Sequence, residues 1–249
     1  MTLREITYKS DIDVTLVQMM GGDYMVVAAA RVSTSGEDCL QYIDPASAAE
    51  NAGVIRYLMQ HRHGTPFEHA GMTFYVRAPI FVWREWHRHR IGISYNEESG
   101  RYKELAPVFY LPDRERPMMK VGDEKTPWKP GRPKFTRCES DDVYNNLCTN
   151  LKHSYSVGYE MYQANLALNI DPGLARDCLP VGIFSGCWVS LNPRSMMHFL
   201  SLRTHHLDAK FVSYPLWEIA VAAEMVEKIF AEHWPITYKA FNDMGRVAP

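Results

Sequence analysis

Cysteine is scarce in this chain. Five residues, at 39, 138, 148, 178 and 187, are spread over 249 positions and form no Cys-x-x-Cys pair. An odd number without that spacing argues against both a disulfide framework and a zinc ribbon, and fits a reducing cytoplasmic setting. An excess of one charge is lacking too, since 27 basic residues stand against 29 acidic ones for a net charge of -2. Nothing global therefore calls for nucleic acid or an anionic membrane, and any anion site has to be local. No apolar run approaches the length of a membrane span. The start, Met1-Thr2-Leu3-Arg4-Glu5, carries an acid at once and no apolar h-region, so neither a span nor a leader is expected. Internal repeats, low-complexity tracts and a domain boundary are likewise absent. What is present is an ordinary globular composition, 46% apolar, 12% aromatic and 22% charged. At this length the expectation is one domain over residues 1–249 with a sizeable core.

The local patterns predict an α+β fold, a mixed sheet packed with helices. Gly21-Gly22 punctuates the early chain before the Ala-rich stretch Val26 to Val32. Asp44-Pro45-Ala46-Ser47 has helix-start chemistry, and Val54, Leu58 and His61 follow at helical spacing, which predicts a helix over 47–62 ended by Gly64. Met72 to Val76 reads as a strand closed by Ala78-Pro79, and a helical run follows from Phe81 toward Arg90. Prolines at 112, 117, 127, 130 and 133 alternate with charges and match neither period, so 111–134 is read as a long Pro-rich surface excursion. A long helix over 140–168 carries the stripe Val143, Leu147, Leu151, Tyr155 and Tyr159. Ile183 to Leu191 reads as a strand. Asn192-Pro193 is an N-cap followed by proline at the first helical position, opening a helix through Met196, Met197, Phe199, Leu200 and Leu202. A final helix is predicted over 215–233.

The densest chemistry lies between Arg84 and Lys103, where Arg84, His87, Arg88, His89, Arg90, Arg101 and Lys103 surround the polar run Ser94 to Ser99. Guanidinium forks bind phosphate or carboxylate at two points, so several together suit a phosphorylated small molecule better than a solvated basic face. His87 and His89 with His61, His63 and His69 offer an alternative reading as metal ligands, but the fixed positive charges between them weaken cation binding, and no metal is expected. A Ser99–His89–Glu97 triad has no Gly-x-Ser-x-Gly elbow to support it. Arg176 sits in a segment otherwise suited to burial, where an arginine needs an anion: core ion pair and ligand contact remain equal readings.

These residues resemble a known family. Arg88-His89-Arg90 followed by Ser94-x-Asn96-Glu97-x-Ser99-x-Arg101 is similar to the signature of the flavin-dependent thymidylate synthases. His63-x-Thr65-Pro66-Phe67-Glu68-His69 upstream, and Asn192-x-Arg194-Ser195 with Leu202-Arg203 downstream, fall in the family's order. Eight residues separate Arg90 from Ser99, one more than the family's seven. Thr204 to Tyr214 is a second insertion.

The resemblance implies reductive methylation of dUMP to dTMP, with FAD as cofactor and NADPH and methylenetetrahydrofolate as cosubstrates. It implies that His63, Thr65, Glu68, Arg88, His89, Arg90, Asn96, Asn192, Arg194, His198 and Leu202 surround the flavin. Glu85, Glu97, Ser99, Arg101, Arg176 and Arg203 would hold the nucleotide, with Ser99 and Arg203 at the reacting ring. It further implies a homotetramer with active sites between subunits, and neither nucleic acid nor membrane as partner. The competing readings are a noncatalytic nucleotide-binding protein using the same arginines and a histidine-metal hydrolase. Bound flavin would separate the first reading from both.

Overall fold

A computed structural model describes residues 4–123 and 125–249, so Met1, Thr2 and Leu3 of the N-terminal reading lie outside the described residues. The fold is α+β. The chain divides into two compact units: the first comprises the chain through Ile12, Arg77–Trp86 and Glu97–Cys187, and the second Asp13–Val76, His87–Asn96 and Trp188–Pro249.

In the first unit, β1 (Thr7–Lys9) pairs in parallel with β5 (Val108–Tyr110). The excursion is not structureless, since β6 (Met119–Lys120) inside it pairs with β7 (Phe135–Thr136) just past its end to close an antiparallel hairpin. Its ring partners are Trp128 and Phe135, and Lys120 sits over the Trp128 face. The long helix α5 (Asp141–Ala167) opens on Ser140, whose Oγ accepts the Val143 N–H, with Asp141 and Asp142 in the first turn favouring the helix dipole. The predicted stripe is buried only in its second half. Val143 is exposed whereas Tyr155, Tyr159 and Tyr162 are buried around Phe109, Ala175 and Ile183. The Phe109 and Tyr155 rings stack at 4.6 Å.

The second unit carries residues of a four-stranded sheet in the order β2 (Asp13–Met20), β3 (Gly71–Pro79), β8 (Phe184–Leu191), β4 (Ile93–Glu97). The early chain is therefore strand before Gly21-Gly22 and helix after it, as α1 (Asp23–Ser35). The helix predicted over 47–62 is broken at Asn51 into α2 (Ser47–Glu50) and α3 (Ala52–Gln60), and Arg62, at φ 58°, stops it two residues before Gly64. α7 (Pro193–Arg203) packs against α8 (Trp217–His233), which packs against α9 (Pro235–Asp243). Asp23 fixes the start of α9, accepting from the N–H groups of Ile236 and Thr237 and from Thr237 Oγ1. The run Phe81–Arg90 is helical only to Trp86, as α4 (Ile80–Trp86), which leaves Arg88, His89 and Arg90 on the connection into β4.

Candidate functional site

In the second unit, the turn after α4 and the first turns of α7 border a cavity of about 490 Å3 lined by Arg88, His89, Arg90, Glu68, Asn192, Arg194, Ser195 and His198 with residues 91–93. The helix start is built as its sequence requires: Asn192 Oδ1 accepts the Ser195 N–H at 2.8 Å, and Pro193 occupies the first helical position. Ser195 then donates its hydroxyl to the Ile91 carbonyl at 2.9 Å, clipping the 91–93 loop onto α7. Gly92 in that loop has a backbone and a neighbour that favour glycine. It adopts φ 67°, and a Cβ there would lie 2.3 Å from Ser195 Oγ.

Arg194 is held from two sides, by Glu68 Oε1 at 2.6 Å and by the Pro249 backbone oxygen at 2.8 Å. Its guanidinium lies where a side chain on Gly64 would be, 2.4 Å from that Cβ position, so a residue larger than glycine there would have to displace it. Three arginines thus line the cavity with one carboxylate, Glu68, among the lining residues. That imbalance suits an anion with more than one charge.

His89 is the most perturbed titrating group here. Arg203 Nε donates to His89 Nε2 at 2.9 Å, which requires an unprotonated Nε2 and leaves the ring proton on Nδ1. Burial first, then the positive charge of Arg203, then His198, push its pKa from 6.5 down to about 4. The ring meets Phe199 edge-on at 5.1 Å, and Tyr95 donates its hydroxyl to the His89 carbonyl at 2.6 Å. His198 is also shifted down, by burial and then Arg194.

The first unit holds a second cavity, of about 400 Å3, lined among others by Arg84, Glu97, Glu98, Gly100, Arg176 and Asp177. Arg176 reaches it from the turn after α6 (Pro172–Ala175), and its Cδ lies 3.1 Å from where a Cβ on Gly100 would project. Glu98 is spent on structure. Its Oε1 accepts the Gly186 N–H and its Oε2 pairs with Lys103 at 2.6 Å, which balances its charge beside the two arginines.

A family model described as thymidylate synthase complementing protein matches residues 15–236. The chain is 46% identical to the flavin-dependent thymidylate synthase of Streptomyces avermitilis over 246 residues, 98% of this chain and 96% of that one. It is 44% identical to that of Tropheryma whipplei, with 97% of each covered. The chain belongs to the flavin-dependent thymidylate synthase family. Among solved structures it is similar to the UMP/dUMP methylase PolB from Streptomyces cacaoi bound with 5-Br dUMP, with a TM-score of 0.87 and 43% identity over 98% of this chain and 100% of that one.

Of the residues that the family signature singles out, Glu68, Arg88, His89, Arg90, Asn192, Arg194 and His198 converge on one cavity, and Glu97 and Arg176 on the other. His63, Thr65, Asn96 and Leu202 are exposed and do not line the first of these. His63 instead joins an exposed ring group with Tyr57 and His61. Ser99 and Arg101 adjoin the second cavity in sequence without lining it, the Ser99 hydroxyl accepting the Arg101 N–H at 3.3 Å. Glu85 is half-buried on α4, next to Arg84. Family reasoning gave no role to Arg84, Glu98 or Ser195. Ser195 was findable, as the residue whose N–H an Asn192 cap must bond.

His89 also predicts a pH dependence. Its folded pKa lies below the unfolded value, so its contribution to stability is complete above pH 6.5 and is lost as pH falls toward 4. Thermal melts should show Tm falling through that window, and less steeply in His89→Gln. Identical slopes in the two proteins would refute the assignment.

Proposed function

We propose that this enzyme methylates dUMP reductively to dTMP, with FAD as cofactor and methylenetetrahydrofolate and NADPH as carbon donor and reductant. The observation that carries the reading is the cavity in which Arg176, remote in sequence, meets Glu97 and Gly100 of the signature. Its two arginines suit the phosphate of a nucleotide, and the similar PolB structures were solved with bromouridine nucleotides. Glu85, Glu97, Ser99, Arg101 and Arg176 are assigned to nucleotide binding, and Arg203 to the pyrimidine ring.

The arginine-rich cavity fits a flavin dinucleotide. Arg88, Arg90 and Arg194 would neutralise its diphosphate, the α7 N-terminus would add backbone donors, and neutral His89 would bring an uncharged ring to the flavin side. His63, Thr65, Glu68, Asn96, Asn192, His198 and Leu202 complete the flavin set. When bound, the flavin supplies the hydride that no side chain can donate. The protein's own work is to bind two anionic ligands and keep His89 uncharged. Residues 1–249 act as one cytoplasmic catalytic domain, and copies assemble into a homotetramer with sites between subunits.

The test is an absorbance spectrum of the purified protein before and after dUMP is added. Flavin bands that shift with dUMP are expected. Saturating FAD that gives neither a spectral change nor a thermal shift would end the reading, and light scattering from an active monomer would remove its tetrameric part.

No protein nucleophile is proposed. Cys138 and Cys187 are buried, and exposed Cys178 donates its thiol to the Ala175 and Gly158 carbonyls. Ser99 has its oxygen on the Arg101 backbone N–H, a contact that does not activate a hydroxyl as a nucleophile. Replacing all five cysteines should leave turnover measurable, and Ser99→Ala should slow it without abolishing it. A nucleotide trapped covalently on Ser99 or on any cysteine, seen by mass spectrometry, would contradict this.

A further inference from the structure

The last turn of α7 is held by a side chain from far along the chain. α7 ends without a glycine: Thr204, at φ -117° and ψ 156°, takes the C-cap position immediately after Arg203. The carbonyls of such an end need other partners, and the turn frays without them. Here Thr204 donates both its N–H and its hydroxyl to the Leu200 carbonyl, at 3.1 and 2.7 Å. Its hydroxyl oxygen in turn accepts from Arg246 Nη2 at 2.9 Å. The other arm of Arg246 donates to Glu227 Oε1 and to Asn242 Oδ1, both at 2.7 Å, and Tyr238 donates to the same Glu227 oxygen at 2.9 Å. Thr204, Glu227 and Arg246 are 3%, 7% and 6% exposed, so the centre of the network is buried, while half-buried Tyr238 and Asn242 lie at its edge with His206, 3.6 Å from Glu227 Oε2.

Such a network is an expensive way to gain stability. A buried ion pair is commonly matched or bettered by an apolar pair of the same volume. Arg246 also holds a left-handed backbone, φ 59°, which a non-glycine residue adopts at a cost. What an apolar pair would not reproduce is direction. The planar fork of Arg246 fixes the Thr204 hydroxyl, the hydroxyl makes a second bond to the Leu200 carbonyl at the start of the last turn, and the residue so fixed is the neighbour of Arg203. Arg203 in turn has to present Nε to His89 Nε2 at 2.9 Å.

We propose that Arg246 and Thr204 are positioning residues for Arg203, setting the direction in which its guanidinium is presented to the nucleotide. The proposal rests on the assignment of Arg203 to the pyrimidine ring. It acts through α7, and neither residue is placed in contact with substrate.

The test compares Thr204→Val, which keeps the shape and removes the hydroxyl, with Thr204→Ser, which keeps the hydroxyl, both as flavin-loaded holoenzyme. dUMP is titrated against the flavin absorbance, and KM, kcat, FAD affinity and Tm are measured alongside. Thr204→Val should raise the dUMP KM on the order of tenfold, because small misplacements of a binding group are costly, while FAD affinity stays within about twofold. Thr204→Ser should behave as the wild type. Should Thr204→Val fail to fold, Arg246→Lys keeps the charge facing Glu227 but lacks a second arm for Thr204, and it should show the same selective loss. A lowered Tm with KM and kcat for dUMP unchanged overturns the proposal and leaves the network purely structural. A wild-type holoenzyme that gives no response to dUMP overturns the functional reading and this inference with it, whereas a responding wild type with unaltered variants overturns this inference alone.

Discussion

Replacing Arg176 or Arg203 by alanine is expected to weaken dUMP binding by about 2 kcal/mol or more, roughly thirtyfold, while FAD binding changes little. The two arginines reach this result from different surroundings. Arg176 lines a cavity with Glu97, Gly100 and Arg84, so its removal deletes one of the two cations there. Arg203 is tied to His89, which lines the arginine-rich cavity, so its loss frees a hydrogen-bond acceptor at that cavity. Arg176→Ala should therefore leave FAD affinity untouched and Arg203→Ala should disturb it slightly. Isothermal titration with each ligand in turn measures both. Equal losses for the two ligands in Arg176→Ala would mean that the division of arginines between sites is wrong.

What the sequence could disclose followed physical range. The α7 start was legible because Asn192 and Pro193 carry their structural meaning locally, as a cap and as a fixed φ. The arginine inventory was legible because charge clustered in a neutral chain stands out. The end of α4 was not, since nothing between Phe81 and Arg90 breaks helical spacing, and the release of Arg88–Arg90 from the helix depends on tertiary partners such as the Ile91–Ser195 clip. The burial of α5 was half legible. Periodicity selected its apolar face but could not say that its N-terminal half, with Val143 47% exposed, lies outside the core. The Pro-rich excursion concealed one strand of a hairpin whose other strand follows at its end, both of two residues and too short for any period to show. The cap of α7 by Arg246 was beyond reach altogether, because it joins positions 42 residues apart through side chains alone.

Gly158 belongs with those long-range features, and it yields the sharpest expectation for stability. It sits in the buried half of α5, where the intrinsic preference for alanine over glycine in a helix would favour Gly158→Ala by up to about 1 kcal/mol. The surroundings oppose it. A Cβ there would lie 2.6 Å from Pro180 Cδ and 2.9 Å from the Cys178 carbonyl oxygen. Neither a proline ring nor a backbone carbonyl can swing aside as a flexible side chain does, so the 178–180 segment has to move. Overpacking of this kind costs about 1–3 kcal/mol, which outweighs the propensity gain. The displaced segment also furnishes Leu179 and Pro180 to the Arg176 cavity, so nucleotide binding should fall together with Tm. Gly53→Ala is the matched control: it lies within α3, and a Cβ there meets nothing within 4 Å, so propensity acts unopposed and Tm should hold or rise. Denaturant melts of the two variants, with dUMP titrations beside them, decide the matter. If Gly158→Ala were as stable as Gly53→Ala and bound dUMP normally, the close approach of α5 to the 178–180 segment would not be what shapes this cavity.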